Sequence, residues 1–288
     1  MTLLVTMLTA STAWADSNPT VELEDHNEDN LSIISANDGK TCNVVLRGRT
    51  LYKDGKWNTL CLPFDVDMTD PDGPLYGATF FTVTGASIEG TTLNLTFGKS
   101  WNGDPDKENT LTAGTPYIIK WDKAADYVDD DAHNIVNPVF TNVKPELVGD
   151  DFWEDDYSVG FLGIYDAMPD ITIGLEYWLG EGYDVLLMGG DNTLRYGGSG
   201  ASLGACRAFF LVNPTKVGNG SQAARLTSFS MDFGEGDGET TGIVSMDNGQ
   251  WTLDKEAGAW YTLDGRQLAE KPTMRGIYVN NGRKVVIK

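Results

Sequence analysis

The feature that most constrains the fold is a two-residue alternation of apolar and polar side chains. It is clearest at residues 92–97, where Leu, Leu and Phe alternate with Thr and Asn. Successive side chains of a β-strand point to opposite faces, so this pattern predicts a strand with one buried face. Residues 79–84 are its natural antiparallel partner across a turn at Glu89-Gly90.

Further segments rich in β-branched and aromatic residues recur at short intervals, with turns between them, in a chain that has 33 glycines. The Asp54-Gly55 pair predicts a hairpin between residues 50–53 and 56–62. Residues 123–128 are the only, weak, helix candidate. We therefore predict an all-β fold with a β-sandwich-like main region over residues 31–233. Its other predicted strands lie at 31–35, 42–47, 116–121, 183–188, 207–212 and 228–233.

The first fifteen residues have the pattern of a cleavable export signal. A short apolar stretch ends in Ala13-Trp14-Ala15, an A-x-A motif in which Ala13 and Ala15 mark the cleavage site, although no Lys or Arg precedes the stretch. A bilayer-spanning helix needs about 20 apolar residues, so no transmembrane segment is predicted. We predict a signal peptide at 1–15 and, because residues 16–30 are acidic and lack periodicity, a flexible leader there.

The charge of the chain limits the classes of partner that it is expected to bind. There are 42 acidic and 21 basic residues, which give a net charge of −21 and a pI near 4.3. Such a surface repels phosphate backbones and anionic lipid headgroups, so binding to nucleic acid or to anionic membranes is disfavoured. Divalent cations and neutral partners such as glycans are compatible with it.

A short tail follows the main region. Residues 234–241 have no apolar side chain and are rich in glycine, which predicts a flexible linker. Beyond it, Asn281-Gly282 predicts a two-residue hairpin that joins residues 276–280 to 283–288, because both central positions of such turns favour a positive φ. A second hairpin is predicted over 260–268. Residues 242–288 are thus predicted to be a small C-terminal domain of β-hairpins.

Four elements of this tail occur in order, and the order resembles the C-terminal sorting domains of Bacteroidetes secreted proteins, which are associated with the type IX secretion system. This resemblance implies a small β-sandwich that the outer-membrane translocon reads and that is often cleaved at the surface. It also implies that the sorting signal is Gly276, Ile277 and Tyr278 with Lys284, Val285, Val286, Ile287 and Lys288. The tail is shorter than many full-length members. The four elements are residues 261–266 (YTLDGR), 271–272 (KP), 276–278 (GIY) and 284–288 (KVVIK).

Three stretches of the main region resemble a module of secreted proteins from the same bacteria, for which no activity is established. They are residues 48–64 (GRTLYKDGKWNTLCLPF), 114–121 (GTPYIIKW) and 204–211 (GACRAFFL). The second resemblance implies location and not chemistry. With the export signal, it predicts a protein that is secreted or displayed on the outer-membrane surface of a Gram-negative bacterium.

The sequence carries no catalytic motif. Its two histidines, His26 and His133, lie in the leader and in a predicted loop, and no nucleophile setting such as G-x-S-x-G accompanies them. Among 42 acidic residues, the carboxylate pair of a glycoside hydrolase can be neither identified nor dismissed. We predict no cofactor. Calcium is the one ion that the acidic clusters at 65–73, 129–131 and 150–156 would suit, through their several oxygen ligands.

Four aromatic residues stand in polar surroundings and are candidates for glycan contact. Trp101 lies in a turn-like segment, Trp153 lies between acidic residues, and Tyr177 and Trp178 are adjacent. Aromatic ring faces stack on sugar rings, and nearby Asp and Asn side chains supply hydrogen bonds. The alternative is that these rings fill and cap the sandwich core.

The three cysteines leave two alternatives open. Cys42 and Cys61 would close a short loop as a disulfide. Cys61 and Cys206 instead lie in apolar, strand-like contexts, which favour buried free thiols. The spacing of Cys42, Cys61 and Cys206 matches no metal site.

These features predict a secreted or cell-surface protein of adhesion or binding type, without enzymatic activity, that is displayed through its C-terminal sorting-like domain. Its expected partners are the secretion machinery and a glycan or host-surface ligand. Two other functions stay open. A carbohydrate-binding module of a glycan-utilisation system would lose binding when Trp101 or Trp178 becomes Ala. A glycoside hydrolase would have a deep cleft with two carboxylates about 5–9.5 Å apart.

Overall fold

The computed structural model describes residues 18–99, 108–149, 151–171, 182–190, 192–198, 200–220 and 225–234, and the backbone of seven strands between 239 and 287. The helices in these residues are α1 (Asn30–Ala36) and a 3₁₀ helix (Pro214–Gly220). The strands are β1 (Thr20–Glu24), β2 (Cys42–Arg47), β3 (Thr50–Leu51), β4 (Asn58–Cys61), β5 (Val66–Asp67), β6 (Thr79–Glu89), β7 (Thr92–Gly98), β8 (Thr110–Leu111), β9 (Pro116–Lys120), β10 (Ile135–Val136), β11 (Val139–Val143), β12 (Phe152–Trp153), β13 (Val159–Ile164), β14 (Asp184–Met188), β15 (Leu194–Tyr196), β16 (Arg207–Val212), β17 (Ser228–Asp232), β18 (Glu239–Gly242), β19 (Val244–Asp247), β20 (Gln250–Leu253), β21 (Trp260–Tyr261), β22 (Gln267–Leu268), β23 (Gly276–Asn280) and β24 (Arg283–Ile287).

Two large sheets form a sandwich-like fold, which confirms the predicted all-β class. One sheet has six strands in the order β18-β17-β7-β6-β9-β4, and the other has seven in the order β12-β13-β16-β14-β15-β19-β20. They share a core in which Leu93, Leu95 and Phe97 lie with Phe161 and Phe210. Each of these side chains is at most 4% exposed. Burial of alternate residues on both sheets therefore stabilises the sandwich.

The β6–β7 hairpin forms where the alternation predicts it. Its last register pair is Glu89 with Thr92, and Gly90 in the turn has a φ of 60°. β17 then pairs in parallel with β7. The strands predicted at 116–121, 183–188, 207–212 and 228–233 are also confirmed, as β9, β14, β16 and β17.

The prediction of a flexible leader is wrong for residues 18–30; residues 16 and 17 lie outside the described part. β1 pairs in parallel with β2, and its Val21 and Leu23 are 8% and 2% exposed. The acidic composition concealed a short alternation in which only every second residue is apolar. Two buried side chains and a parallel partner are enough to order the segment.

The strand predicted at 31–35 is the helix α1. The carboxylate of Asp166 accepts a hydrogen bond from the amide of Leu31 at 2.8 Å, and Asn30 donates its side-chain amide to the carbonyl oxygen of Tyr165 at 3.0 Å. These partners satisfy groups at the helix start and come from a distant part of the chain. The weak helix candidate at 123–128 is a single turn, in which Tyr127 N bonds to Ala124 O.

The hairpin predicted between residues 50–53 and 56–62 does not form. β3 pairs with β10, and β4 pairs with β9. Asn58 accepts from the amide of Tyr52 at 3.0 Å, and Asn134 accepts from the amide of Lys53 at the same distance. Since these side chains take the backbone groups that a hairpin ladder needs, the two strands separate into different sheets.

A second core lies between β2, β4 and the loops that follow them, and it contains the three cysteines. Cys42, Cys61 and Cys206 are 0%, 2% and 2% exposed, and all three are free thiols. Of the two alternatives, the structure therefore has buried thiols. Within the described residues, no helix has the length and apolar character needed to cross a bilayer.

The predicted linker does not separate the tail cleanly from the main region. β18, which includes residues 239–241, pairs with β17, and β19 pairs in parallel with β15. The edge of β17 offers unpaired backbone groups, which the β-branched Thr240 and Thr241 can satisfy as a strand. A separate four-stranded sheet follows in the order β22-β21-β23-β24. Its β21–β22 and β23–β24 pairs confirm the two predicted tail hairpins.

Candidate functional site

Trp153 is the one predicted glycan-contact residue within the described part of the chain; Trp101, Tyr177 and Trp178 lie outside it. It ends β12 and its register partner is Gly160 of β13. A Cβ built on Gly160 would stand 2.9 Å from Cε3 and Cζ3 of the indole. The half-buried ring therefore lies over the glycine, and any larger residue at position 160 would displace it.

Tyr157 projects from the loop that joins β12 to β13. It is 61% exposed, and its φ of 54° lies in the left-handed region that a bulky residue rarely adopts. Two hydrogen bonds hold the loop, from Tyr157 N to Glu154 O at 2.9 Å and from Glu154 N to Val159 O at 3.0 Å. A strained backbone that its surroundings hold in place is common at functional sites.

Asp156 stabilises the same loop through two further contacts. Its carboxylate accepts from the amide of Ser158 at 2.9 Å and forms an ion pair with Lys216 at 2.9 Å. Hydrogen bonds from Ser158, and then from Lys216, lower the pKa of Asp156 from 3.8 to about 2. The loop therefore holds Tyr157 in one exposed position.

Trp153, Tyr157 and Tyr183 form a surface cluster, here called the aromatic surface. The Trp153 ring centroid is 5.9 Å from that of Tyr157 and 5.6 Å from that of Tyr183. The Tyr183 hydroxyl donates to the carbonyl oxygen of Tyr157 at 3.3 Å. The ring planes are inclined to each other by 54° and 72°, so the surface is not flat. It combines apolar ring faces with phenolic oxygens.

A cavity of about 480 Å³, here called the arginine cavity, lies beside β4, the β14–β15 turn and β16. Its volume falls in the range of small-molecule sites, about 300–1,000 Å³. None of its residues was predicted as a site residue. Among those that line it are Asp25, Arg49, Tyr52, Trp57, Arg195 and Arg207.

Two of these arginines are fixed by buried partners. Arg207 donates through Nη2 to Oδ2 of Asp25 at 2.9 Å, and Arg49 donates through Nη2 to the carbonyl oxygen of Thr59 at 2.7 Å. Burial lowers the pKa of Arg207, and the charge of Asp25 opposes this shift. The positive charges are therefore held in place within the cavity wall.

A smaller cavity of about 400 Å³ is lined by part of the first predicted calcium cluster. The carboxylate of Asp67 accepts from the amide and hydroxyl of Thr69, which lower its pKa, and Asp70 accepts from the amide of Asp72. These carboxylates cap their own turns. Among the residues that the structure describes, no group of three or more His, Cys, Asp and Glu side chains is arranged to hold a metal ion.

Exposed His26 places Nε2 4.0 Å from Oδ2 of Asp25, a residue that lines the arginine cavity. His133 Nδ1 is 2.7 Å from Oδ1 of Asp130 in the second acidic cluster. That contact lowers the pKa of Asp130, so the aspartate stays ionised beside the imidazole. It closes a surface turn.

The predicted sorting signal lies in the four-stranded sheet. Gly276, Ile277 and Tyr278 are in β23 and pair with residues 285–287 of β24; β23 also pairs with β21. The strand that would carry the GIY element is therefore internal, and β24 is one of the two edge strands of this sheet. Lys288, and Ala13 and Ala15 of the predicted cleavage site, lie outside the described residues.

No protein family, curated protein or solved structure matches this chain. The site residues that sequence reasoning missed are Tyr157 and Tyr183 of the aromatic surface and the charged lining of the cavity. A signal for the second group existed, because Arg49, Trp57 and Arg207 all fall within the stretches 48–64 and 204–211. For Tyr157 the sequence offers only a tyrosine among acidic residues.

Proposed function

We propose that this chain is a secreted or cell-surface binding protein of a Gram-negative bacterium, without enzymatic activity, whose aromatic surface contacts a glycan. The observation that carries the proposal is the cluster of Trp153, Tyr157 and Tyr183. Its most exposed ring stands on a loop that is strained and held by four separate contacts. Rings fixed before binding lose little entropy when a ligand stacks on them.

Neutral glycans suit the rest of the molecule. With a net charge of −21, the chain repels polyanions over most of its surface, whereas uncharged hydroxylated ligands meet no such barrier. Tyrosine and tryptophan are also the residues that combine a large apolar face with a hydrogen-bonding end. A host-surface glycoprotein or a polysaccharide would present such a ligand.

Glycan-array binding of the purified chain tests the ligand. Replacing Tyr157 by Ala removes an exposed ring, so we expect binding to fall about ten-fold while the unfolding midpoint changes little. Tyr76→Ala is the matched control, since Tyr76 is 55% exposed elsewhere. Equal loss in both variants, or unchanged binding in Tyr157→Ala, would contradict the role of the aromatic surface.

Display is proposed to depend on the C-terminal sheet, because the four tail elements resemble a type IX sorting signal and an A-x-A motif precedes the mature chain. The main region's sheets extend to β20, so the test should remove residues 254–288 and keep β18 to β20. We expect the truncated chain to be retained inside a type IX secretion host. Unchanged surface display would rule out the sorting role.

A point variant sharpens this test. Val279 pairs with Tyr261 on one side and Lys284 on the other, so proline there interrupts the internal strand of the sheet. We expect Val279→Pro to reduce display as strongly as the truncation. Val279→Thr keeps a β-branched residue at the same place and should be displayed normally.

A further inference from the structure

The arginine cavity concentrates the unsatisfied polar groups of the protein. Among the described residues, five buried side-chain nitrogen or oxygen atoms have no hydrogen-bond partner. Four of them belong to residues that line this one cavity: Asp25 Oδ1, Arg49 Nε, Trp57 Nε1 and Arg207 Nη1. Unpaired buried polar groups are costly, so their collection at one place indicates a site that a polar partner completes.

The cavity is positive within a strongly negative protein. Its charged lining residues are three arginines and one aspartate, whereas the chain as a whole has twice as many acidic as basic residues. Asp25 is already paired with Arg207. The residues that line the cavity therefore carry a net positive formal charge, which favours an anionic group.

The atoms that remain unpaired also fix how an anion would be held. Arg49 and Arg207 each use Nη2 for a protein partner, which leaves Nε of Arg49 and Nη1 of Arg207 as donors. Both side chains are constrained by those bonds, since Arg49 is 6% exposed and Arg207 is bound to a buried carboxylate. Two fixed guanidinium donors suit the oxygens of a carboxylate or sulfate group.

Trp57 contributes a donor edge and not a stacking face. Its ring packs against Phe233 with centroids 5.3 Å apart and an angle of 23°, and Lys120 lies over the ring at 4.3 Å. Trp57 is 5% exposed, and its indole N–H has no partner. The indole N–H is therefore a third unpaired donor among the residues that line the cavity.

The fourth unpaired atom needs a donor from the ligand. Oδ1 of Asp25 is a buried acceptor, while Oδ2 of the same carboxylate accepts from Arg207. Because Arg207 already balances the charge of Asp25, a neutral hydroxyl suits Oδ1 better than a second cation. A ligand that combines an anionic group with nearby hydroxyl groups would satisfy all four atoms.

We propose that the arginine cavity binds an acidic sugar, with the sugar's carboxylate or sulfate on Arg49, Arg207 and Trp57 and a ring hydroxyl on Asp25. The choice of a sugar rests on the proposed glycan-binding function. The cavity is then a second, charge-selective subsite that admits acidic residues of a glycan, separate from the aromatic surface. A carboxylate and a sulfate would both accept hydrogen bonds from these donors, and the experiment below distinguishes between them.

Titration calorimetry with free monosaccharides tests this assignment directly. The probes are glucuronate, N-acetylneuraminate and glucose 6-sulfate, with glucose, acetate and inorganic sulfate as comparison ligands. We expect binding of at least one acidic sugar, with glucose and the two small ions at least ten-fold weaker. Preference between glucuronate and glucose 6-sulfate identifies the acid group. Equal binding of glucose or sulfate ion, or no binding of any acidic sugar, overturns the proposal.

Variants that keep the positive charge locate the site. Arg49→Lys retains a cation but removes Nε and the planar fork, so we expect affinity for the acidic sugar to fall about ten-fold. Arg47→Lys is the matched control, because Arg47 is on neighbouring β2 and forms an exposed pair with Glu22. Thermal unfolding of both variants shows whether the fold is kept. A folded Arg49→Lys protein with unchanged affinity overturns the assignment.

An NMR signal gives a second readout that does not depend on the stability of the arginine variants. The indole N–H resonance of Trp57, assigned by its loss in Trp57→Phe, should move downfield when the acidic sugar binds. An acidic sugar that binds without shifting this resonance lies elsewhere. Loss of acidic-sugar binding in Tyr157→Ala but not in Arg49→Lys would reject the cavity and leave the proposed function standing. Loss in Arg49→Lys but not in Tyr157→Ala is the result expected for the cavity, and the aromatic surface is then judged by the glycan-array binding of Tyr157→Ala.

Discussion

Arg207 of β16 donates a hydrogen bond from Nη2 to Oδ2 of Asp25 at 2.9 Å, across 182 positions of sequence. The amide of Ala205 also donates to the carbonyl oxygen of Asp25 at 2.8 Å. The segment that precedes α1 is therefore fixed to the seven-stranded sheet by a side chain and by its backbone. Asp25 and Arg207 also line the arginine cavity.

Removing the charge of Asp25 should destabilise the protein strongly. Asp25→Asn leaves Arg207 buried without its counter-ion, and losing one partner of a buried pair costs about 3 kcal/mol. Urea unfolding measures the change in the free energy of unfolding. Glu22→Gln is the control, since the Glu22–Arg47 pair is about half exposed and its loss is expected to change the free energy of unfolding far less. If Asp25→Asn costs no more than Glu22→Gln, the contact does not anchor the segment.

The three thiols should be unreactive in the folded protein. Burial raises the pKa of Cys42, raises that of Cys61 well above its ordinary value and raises that of Cys206 to about 12. The thiolate is the reactive form, so its population at pH 8 is small. We expect negligible labelling by a disulfide reagent in buffer and three labelled thiols in guanidinium chloride. One labelled thiol in denaturant would mean that a disulfide forms instead.

Gly163 should not tolerate a side chain. A Cβ at this position of β13 would stand 2.7 Å from Cβ of Cys61 and closer still to its sulfur. Gly163→Ala is therefore expected to lower the free energy of unfolding by about 1–3 kcal/mol. At Gly149 a Cβ meets no atom within 4 Å, so Gly149→Ala should change stability by less than about 0.5 kcal/mol. Comparable losses in the two proteins would contradict the close approach of β13 and β4.

The stability of the loop that carries Tyr157 should decrease in acid because Asp156 becomes protonated. Its pKa of about 2 is below the ordinary 3.8, so its contribution to stability is present above pH 4 and is lost as the pH falls toward 2. The hydrogen bond from the Ser158 hydroxyl is the largest cause of the lowered pKa, so Ser158→Ala, which removes it and keeps the amide bond, should raise the pKa toward 3.8. Lys216→Gln should raise it less. A carboxyl-detected NMR titration measures the three values, and an unchanged midpoint in Ser158→Ala would exclude the hydrogen bond as the cause.

Local pattern was a good guide where a strand alternates and its partner is near in sequence. The β6–β7 hairpin and the two tail hairpins follow from alternation and from turn residues. It failed where side chains compete for the backbone groups of a predicted hairpin. Asn58 and Asn134 accept hydrogen bonds from the amides of residues 52 and 53, and β3 and β4 pair with different strands. It also failed at α1, where the amide of Leu31 donates to Asp166, which is 135 positions away in the sequence.

The candidate sites depend on contacts that no local pattern contains. The stretches 48–64, 114–121 and 204–211 looked separate in the sequence, yet β4 pairs with β9, and Cys61 N donates to Cys206 O at 3.2 Å. The meeting of 48–64 with 204–211 brings Arg49 and Arg207 to one cavity. Their residue types were visible beforehand, but their proximity was not.

The all-β class, the alternating strands and the hairpins closed by local turns can be predicted from the sequence, because these features depend on residues a few positions apart. The order of residues 18–30, the burial of the three free thiols and the collection of unpaired polar groups in one cavity follow from long-range contacts. Those outcomes depend on which distant strands pair, and that choice is made by burial of the whole core and not by any single segment.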